Sequence, residues 1–124
     1  MIIGLGTDLV EVGRFRLALE RRSTLAERLF TDGEREYGLA QHDPAESLAA
    51  RFAAKEAVMK ALGVGLGDFE FRDVEVQRAE SGEPSLALTG KARLIADDRG
   101  VAAWMLSLSH TGTTALAVVI ALGA

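Results

Sequence analysis

The chain has 124 residues, 48% of them hydrophobic, and a formal net charge of -4. Because it contains no cysteine, disulfides, thiolate metal sites and cysteine nucleophiles are excluded, and the negative balance argues against a nucleic-acid-binding protein. With no signal-peptide pattern at Met1 and no apolar run of membrane-spanning length, we expect a soluble cytoplasmic protein without a membrane partner.

The first predicted element is a strand over residues 2 to 8. Its alternation puts Gly4, Gly6 and Asp8 on one face, which therefore has almost no side chains beside a carboxylate. Such a bare face is typical of a place where another backbone or a ligand approaches closely. Alternatively, the glycines mark a bulge and Asp8 caps the next element.

A basic helix follows over residues 12 to 22, with Phe15 and Leu19 on its apolar side. Capping-box spacings at Thr24 with Glu27 and at Thr31 with Glu34 predict two further helices, over residues 25 to 30 and 32 to 41. The basic residues of the first helix, opposed only by Glu20, are Arg14, Arg16, Arg21 and Arg22.

The longest predicted helix has clear ends. Asp43 is a suitable N-cap that forms a capping box with Glu46, Pro44 fits the first helical position, and Gly63 fits the stop. Its apolar stripe contains Leu48, Phe52, Met59 and Leu62.

Four charged residues follow in the stretch from Arg51 to Lys60 of this helix. Lys55 lies in the middle of the apolar stripe, with Arg51 one turn before it. Glu56 and Lys60 share a neighbouring face. They form either a surface ion pair or, with the other cations, a site for a metal ion shared with a phosphate.

The second half changes to strand periodicity after a glycine-rich loop that contains Gly63 and Gly65. Strands are predicted at 69 to 71, 74 to 78, 85 to 88, 102 to 109 and 115 to 121, with a helix at 90 to 99. The last two strands form a hairpin through residues 110 to 114. We therefore expect one α+β domain over residues 1 to 124, in which helices and a long central helix precede antiparallel strands.

Three separated motifs together resemble one family. They are Ile3-Gly4-Leu5-Gly6-Thr7-Asp8, Arg51-Phe52-Ala53-Ala54-Lys55-Glu56-Ala57 followed by Lys60, and Ser107-Leu108-Ser109-His110-Thr111. In content, order and spacing the chain resembles the bacterial holo-acyl-carrier-protein synthases, the short single-module 4′-phosphopantetheinyl transferases.

The resemblance implies Mg²⁺-dependent transfer of 4′-phosphopantetheine from coenzyme A to a serine of apo acyl carrier protein, for fatty-acid or also polyketide biosynthesis. It makes Asp8 and Glu56 the magnesium ligands and, with Lys60, the catalytic residues. Few carboxylates are what Mg²⁺ requires when phosphate oxygens fill its other positions.

By the same resemblance Lys60 contacts the coenzyme A diphosphate, and Lys55 holds Glu56 or meets a phosphate. The remaining coenzyme A contacts would be Arg51, His110 and Thr111 at the 3′-phosphate, and Gly63, Gly65, Pro84 and Ser85 along the nucleotide or pantetheine.

The resemblance also implies two kinds of protein partner. Acyl carrier protein is acidic, so the basic helix offers a docking face made of Arg14, Phe15, Arg21 and Arg22. A single module further implies a homotrimer with a site at each subunit interface.

Two other functions fit the same charged residues. Asp8, Glu56 and Lys60 could serve a divalent-metal phosphohydrolase that acts on coenzyme A or a nucleotide. Alternatively, the chain could be a carrier-protein or coenzyme A binding module without turnover. A pure binder has no need for both carboxylates, which favours an enzyme.

Overall fold

A computed structural model describes residues 1 to 124 and shows a mixed fold of helices and antiparallel strands. The α+β prediction is thereby confirmed. In chain order the elements are β1 (Ile2–Glu11), α1 (Val12–Arg21), α2 (Leu25–Leu29), α3 (Asp32–Leu39), α4 (Pro44–Leu62), a 3₁₀ turn (Phe71–Asp73), β2 (Val74–Arg78), β3 (Pro84–Leu88), α5 (Gly90–Asp98), β4 (Val101–His110) and β5 (Thr114–Gly123).

Two antiparallel sheets form. The larger has the order β1-β5-β4, and the smaller is the hairpin of β2 and β3. The strand β1 is longer than predicted because its pairing with β5 continues as far as Glu11 opposite Thr114. The predicted hairpin of the last two strands is confirmed.

Strand β1 lies directly against helix α4. A Cβ added at Gly4 would be 1.9 Å from the Ala61 carbonyl oxygen, and one added at Gly6 would be 1.8 Å from that of Ala57. Only glycine permits this approach. The bare face of β1 therefore serves backbone packing. The alternative holds in part, because the pairing of β1 with β5 shifts register between Ile2 and Gly4. Asp8 does not cap the next element, since the N-cap of α1 is Glu11.

Helix α4 has two of its predicted end signals but not the third. Pro44 occupies the first turn and Gly63 ends the helix with a φ of 70°. The Asp43 carboxylate makes no cap bond, because it accepts a 2.6 Å hydrogen bond from the Arg16 guanidinium. A charged partner outcompetes the helix amides for this carboxylate, so the predicted capping box with Glu46 is wrong.

Some of the other local predictions are confirmed and others are wrong. The Thr31–Glu34 capping box is confirmed, whereas Thr24 makes no side-chain cap bond. The strand predicted at residues 69 to 71 is wrong, because Phe71 begins a 3₁₀ turn that is held by a 3.3 Å bond from the Glu70 amide to the Asp73 carboxylate.

The core lies between α4 and the larger sheet, and α4 is buried on most sides rather than along one stripe. Alanines make this possible, because Ala53, Ala57 and Ala61 are at most 8% exposed. The opposite face of the sheet is open and apolar, with Leu5, Leu9 and Met105 between 57% and 68% exposed. No helix in the structure is long and apolar enough to cross a membrane.

We predict that Gly6→Ala destabilises the fold by at least about 3 kcal/mol, because the new methyl group meets a backbone oxygen that cannot turn away. Urea unfolding measures the effect. Gly13→Ala is the matched control, since its Cβ position is open and α1 favours alanine. If both variants unfold at the urea concentration of the parent chain, the close approach of β1 and α4 is wrong.

Candidate functional site

Asp8, Glu56 and Lys60 come together where β1 crosses α4. The Lys60 ammonium donates to the Thr7 carbonyl at 2.8 Å and lies 3.2 Å from Asp8 Oδ1. The Asp8 side chain is only 17% exposed, whereas that of Lys60 is 55% exposed. Two carboxylates therefore line one opening, and the exposed Lys60 ammonium is paired with one of them, Asp8.

The environment of Glu56 shows how closely the two carboxylates interact. Burial is the largest influence that raises the pKa of Glu56, and the negative charge of Asp8 raises it further. The Lys60 ammonium lowers the Glu56 pKa, but by less. An added cation would relieve this repulsion between Asp8 and Glu56.

The opening is a cleft of about 450 Å³ that Asp8 and Glu56 line together with Arg14 and Phe52. No group of three or more His, Cys, Asp or Glu side chains in the structure could hold a metal ion. Two carboxylates beside open space still suit Mg²⁺, which binds through one or two carboxylates and completes its shell with water and phosphate oxygens. The residues present therefore fit that ion.

A second cleft of about 320 Å³ contains Arg51 and His110. The Arg51 guanidinium lies 4.2 Å from the centre of the Tyr37 ring and donates to Ser47 Oγ at 2.9 Å, and its Nε has no partner. Burial and, to a smaller extent, the charge of Arg78 lower the pKa of Arg51. The cleft is lined by two guanidiniums, those of Arg51 and Arg78, and by the carboxylates of Asp43 and Glu46. The unused Nε donor of Arg51 suits an anionic ligand.

His110 closes the second cleft at the end of β4. Its Nδ1 lies 2.5 Å from Glu46 Oε1. Thr111 follows in the turn, where its hydroxyl accepts the amides of Thr113 and Thr114. Arg51 and His110 therefore lie together, but in a different cleft from Asp8 and Glu56.

Lys55 differs from one of its two sequence expectations. Its side chain is 0% exposed, its ammonium lies 2.7 Å from Glu34 Oε1, and it also donates to the carbonyls of Phe71 and Val74. Because these three oxygens satisfy the ammonium inside the protein, the expectation that Lys55 meets a phosphate is wrong. The alternative that Lys55 holds Glu56 in place stays open, although not through a hydrogen bond of the ammonium to Glu56.

The remaining predicted ligand contacts lie on exposed segments. Gly63 and Gly65 are in the loop after α4, where the Gly65 amide donates to Asp68 at 2.8 Å. Pro84 and Ser85 begin β3 and line a third opening beside Trp104. The structure does not bring these residues to the Asp8 cleft.

The predicted docking face is partly present on α1. Arg14, Arg21 and Arg22 are exposed, and Arg14 lines the Asp8 cleft. Phe15 is only 7% exposed and packs against Phe30 and Phe52. Phe15 therefore belongs to the core, and it also lines the same cleft as Arg14. Its part in a docking face stays a prediction.

Sequence patterns did not reveal four residues of these sites: Glu34, Tyr37, Glu46 as the partner of His110, and Arg78. Glu34 was detectable only through its capping box, which uses one oxygen and gives no sign of the Lys55 contact. The others depend on pairings between distant elements and leave no local signal.

Comparison with known proteins agrees with this geometry. The family model described as the 4′-phosphopantetheinyl transferase superfamily matches residues 4–119. The chain belongs to this superfamily.

Individual relatives are more specific. The holo-acyl-carrier-protein synthase of Desulforudis audaxviator is 49% identical over 124 residues, covering 99% of this chain and 95% of the relative. That of Moorella thermoacetica is 46% identical, covering 93% and 90%. The crystal structure of the Bacillus anthracis holo-acyl-carrier-protein synthase in complex with CoA (3′,5′-ADP) superposes with a TM-score of 0.83 at 32% identity, covering 100% of this chain and 99% of that one.

We predict that Glu56 titrates at a higher pH than an exposed glutamate, and that its neighbours change its pKa in opposite directions. Asp8→Asn lowers the Glu56 pKa by removing a negative charge, and Lys60→Met raises it by removing a positive one. Carbon-13 NMR of the carboxyl groups as a function of pH measures both changes. An identical Glu56 pKa in the parent chain and in Asp8→Asn would contradict the shared cleft.

Proposed function

We propose that this protein transfers the 4′-phosphopantetheine group of coenzyme A to a serine of apo acyl carrier protein and releases adenosine 3′,5′-bisphosphate. The observation that carries the proposal is the meeting of Asp8 and Glu56 at one cleft, with the Lys60 ammonium paired to Asp8, in a chain of the transferase superfamily. The reaction would serve fatty-acid biosynthesis in the cytoplasm.

The chemistry requires positioning and charge neutralisation more than covalent help from the protein. The serine oxygen forms a bond to the β-phosphorus of coenzyme A while its proton passes to solvent. The phosphoanhydride bond breaks, and adenosine 3′,5′-bisphosphate leaves. Asp8 and Glu56 would hold Mg²⁺, which would neutralise charge on the diphosphate. Lys60 is exposed enough to turn from Asp8 to a phosphate oxygen, so its ammonium adds a second positive charge there.

The nucleotide end of coenzyme A would meet the second set of residues. Arg51 supplies a cationic donor in one cleft, His110 lines the same cleft, and Thr111 follows His110 in sequence, which suits the 3′-phosphate. Gly63 and Gly65 and, on β3, Pro84 and Ser85 would line the nucleotide or pantetheine.

A homotrimer explains why the two sets of residues lie apart in one chain. A subunit interface would bring the Arg51 cleft of one copy to the Asp8 cleft of the next. The open face of the larger sheet supports this assembly, because Leu5, Ile120 and Met105 form a cross-strand apolar row. Leu9 belongs to the same face and also lines the Asp8 cleft. A second subunit that covers this face would therefore form an additional side wall of the cleft.

Arg14, Arg21 and Arg22 would attract the acidic carrier protein to the same cleft. The chain as a whole carries a charge of -4, so a local basic patch favours one acidic partner without causing non-specific binding to other anions. Arg14 is placed best, since it lines the cleft and is exposed.

We predict that the protein, incubated with apo acyl carrier protein, coenzyme A and Mg²⁺, adds the mass of one phosphopantetheine group to the carrier. Glu56→Gln and Asp8→Asn should each lower turnover by at least about a hundredfold, because a metal ligand is lost. Intact-mass spectrometry of the carrier measures the transfer. Coenzyme A loss without a mass gain would indicate a hydrolase, and no change in either would indicate a binding module.

The substitution Glu70→Gln is the matched control for charge, because Glu70 is exposed and lies outside both clefts. It should leave turnover within about twofold. If Glu56→Gln keeps the parent rate over a range of Mg²⁺ concentrations, the assignment of Glu56 as a metal ligand is wrong.

We further predict that Arg14→Ala raises the KM for acyl carrier protein about tenfold while kcat for saturating carrier changes little, because Arg14 attracts the carrier electrostatically. Added salt should raise the KM of the parent chain and affect the variant less. Arg99→Ala, an exposed substitution after α5, is the control. A KM for the carrier that does not respond to salt would contradict the docking face.

A further inference from the structure

The buried pair of Glu34 and Lys55 ties together four parts of the fold. Glu34 Oε1 accepts the Lys55 ammonium at 2.7 Å and the Thr31 amide at 3.0 Å, and Oε2 accepts the Val76 amide at 2.9 Å. The ammonium also donates to the carbonyls of Phe71 and Val74. Helices α3 and α4, the 3₁₀ turn and β2 thus meet at one pair of side chains that are both 0% exposed.

This pair lies on the side of α4 away from β1. Successive residues of a helix are about 100° apart, so Ala57 lies about 200° around the helix from Lys55. Ala57 meets β1, whereas Lys55 meets α3 and β2. Helix α4 is therefore held from two sides, and Glu56 directly follows Lys55 in sequence.

The two contacts restrain α4 differently. The contact with Gly4 and Gly6 sets how near the helix comes to β1, but van der Waals packing has little directional preference. Hydrogen bonds are directional and weaken steeply when bent, so the three acceptors around Lys55 restrict rotation of the helix about its axis.

We propose that Glu34 and Lys55 are a positioning pair that sets the rotation of α4 so that Glu56 faces Asp8. The proposal rests on the transferase function proposed above. A carboxylate about 6 Å from the helix axis moves by about 1 Å when the helix turns by about 10°. Errors of that size in a catalytic arrangement cost up to about a hundredfold in rate.

A purely stabilising role is the competing explanation, and the physics of buried ion pairs makes it the weaker one. Removing two charges from water offsets most of their attraction, so apolar residues of similar size often stabilise a core equally well. What apolar residues lack is the fixed geometry of the Lys55 contacts. An uncharged replacement of similar size therefore separates the two roles. It lowers the rate if the pair positions Glu56, and it lowers only the stability if the pair merely stabilises the fold.

The test compares Glu34→Gln, Lys55→Met and the double variant with Val58→Ala, a buried substitution on the same helix that leaves the pair intact. All are assayed well below their melting temperatures. We expect the three pair variants to lower kcat at least about tenfold, with the KM for coenzyme A within about threefold. Val58→Ala should lower the melting temperature and keep kcat within about twofold.

Binding of Mn²⁺ alone, followed by electron paramagnetic resonance, gives a readout that needs no turnover. Mn²⁺ is a suitable probe because it shares the preference of Mg²⁺ for carboxylate and water oxygens. The pair variants should bind Mn²⁺ several-fold more weakly than the parent chain, because Glu56 and Asp8 are misaligned, and Val58→Ala should match the parent. A parent chain that binds Mn²⁺ but transfers no group would contradict the proposed function while leaving this comparison decisive.

The outcomes separate the explanations. Equal losses in both single variants and in the double variant support a pair that acts as one unit. Pair variants that melt earlier but keep the parent kcat and Mn²⁺ affinity would overturn the proposal. If Lys55→Met does not fold because it leaves the Glu34 charge buried alone, the double variant still decides, since it buries no unpaired charge.

Discussion

The close contact between the backbone of β1 and helix α4 is the constraint on which the rest of the structure depends. At Gly4 and Gly6 no side chain separates the strand from the carbonyls of Ala61 and Ala57. That short separation brings Asp8 within 3.2 Å of the Lys60 ammonium and lets its charge raise the Glu56 pKa. Small residues on both elements therefore determine the distances between charged ones.

Helix α4 is buried on most sides and contributes residues to both clefts. In its first half it presents Arg51 to the cleft of His110, and about one and a half turns later it presents Glu56 to the cleft of Asp8. A helix with only one buried face could rotate slightly without losing much packing. Because α4 is buried on most sides and is held through Lys55, the packed core fixes its orientation toward both clefts.

Sequence patterns predicted the features whose causes are local. The Thr31–Glu34 capping box, Pro44, the Gly63 stop and the final hairpin depend on residues within a few positions of one another. Long-range partners account for the failures. Asp43 accepts a hydrogen bond from Arg16 of another helix and therefore does not cap α4. Lys55 pairs with Glu34 and therefore does not reach a phosphate. The sequence around Phe15 is also ambiguous, because an apolar residue in a basic helix fits a docking contact and a core position equally well. The structure buries this side chain.

The separation of the two clefts connects the fold with the proposed assembly. Coenzyme A carries a diphosphate and, across a ribose, a separate phosphate monoester, so a protein that binds both needs two anion sites at a fixed spacing. In one copy of this chain, Asp8 and Glu56 line one cleft, and Arg51 and His110 line another. The apolar face that includes Leu9 reaches the rim of the Asp8 cleft, so burial of that face by another copy would complete the wall beside the carboxylates. Hydrophobic association between subunits and construction of the active site would then be one event, and dissociation alone would be enough to disable catalysis.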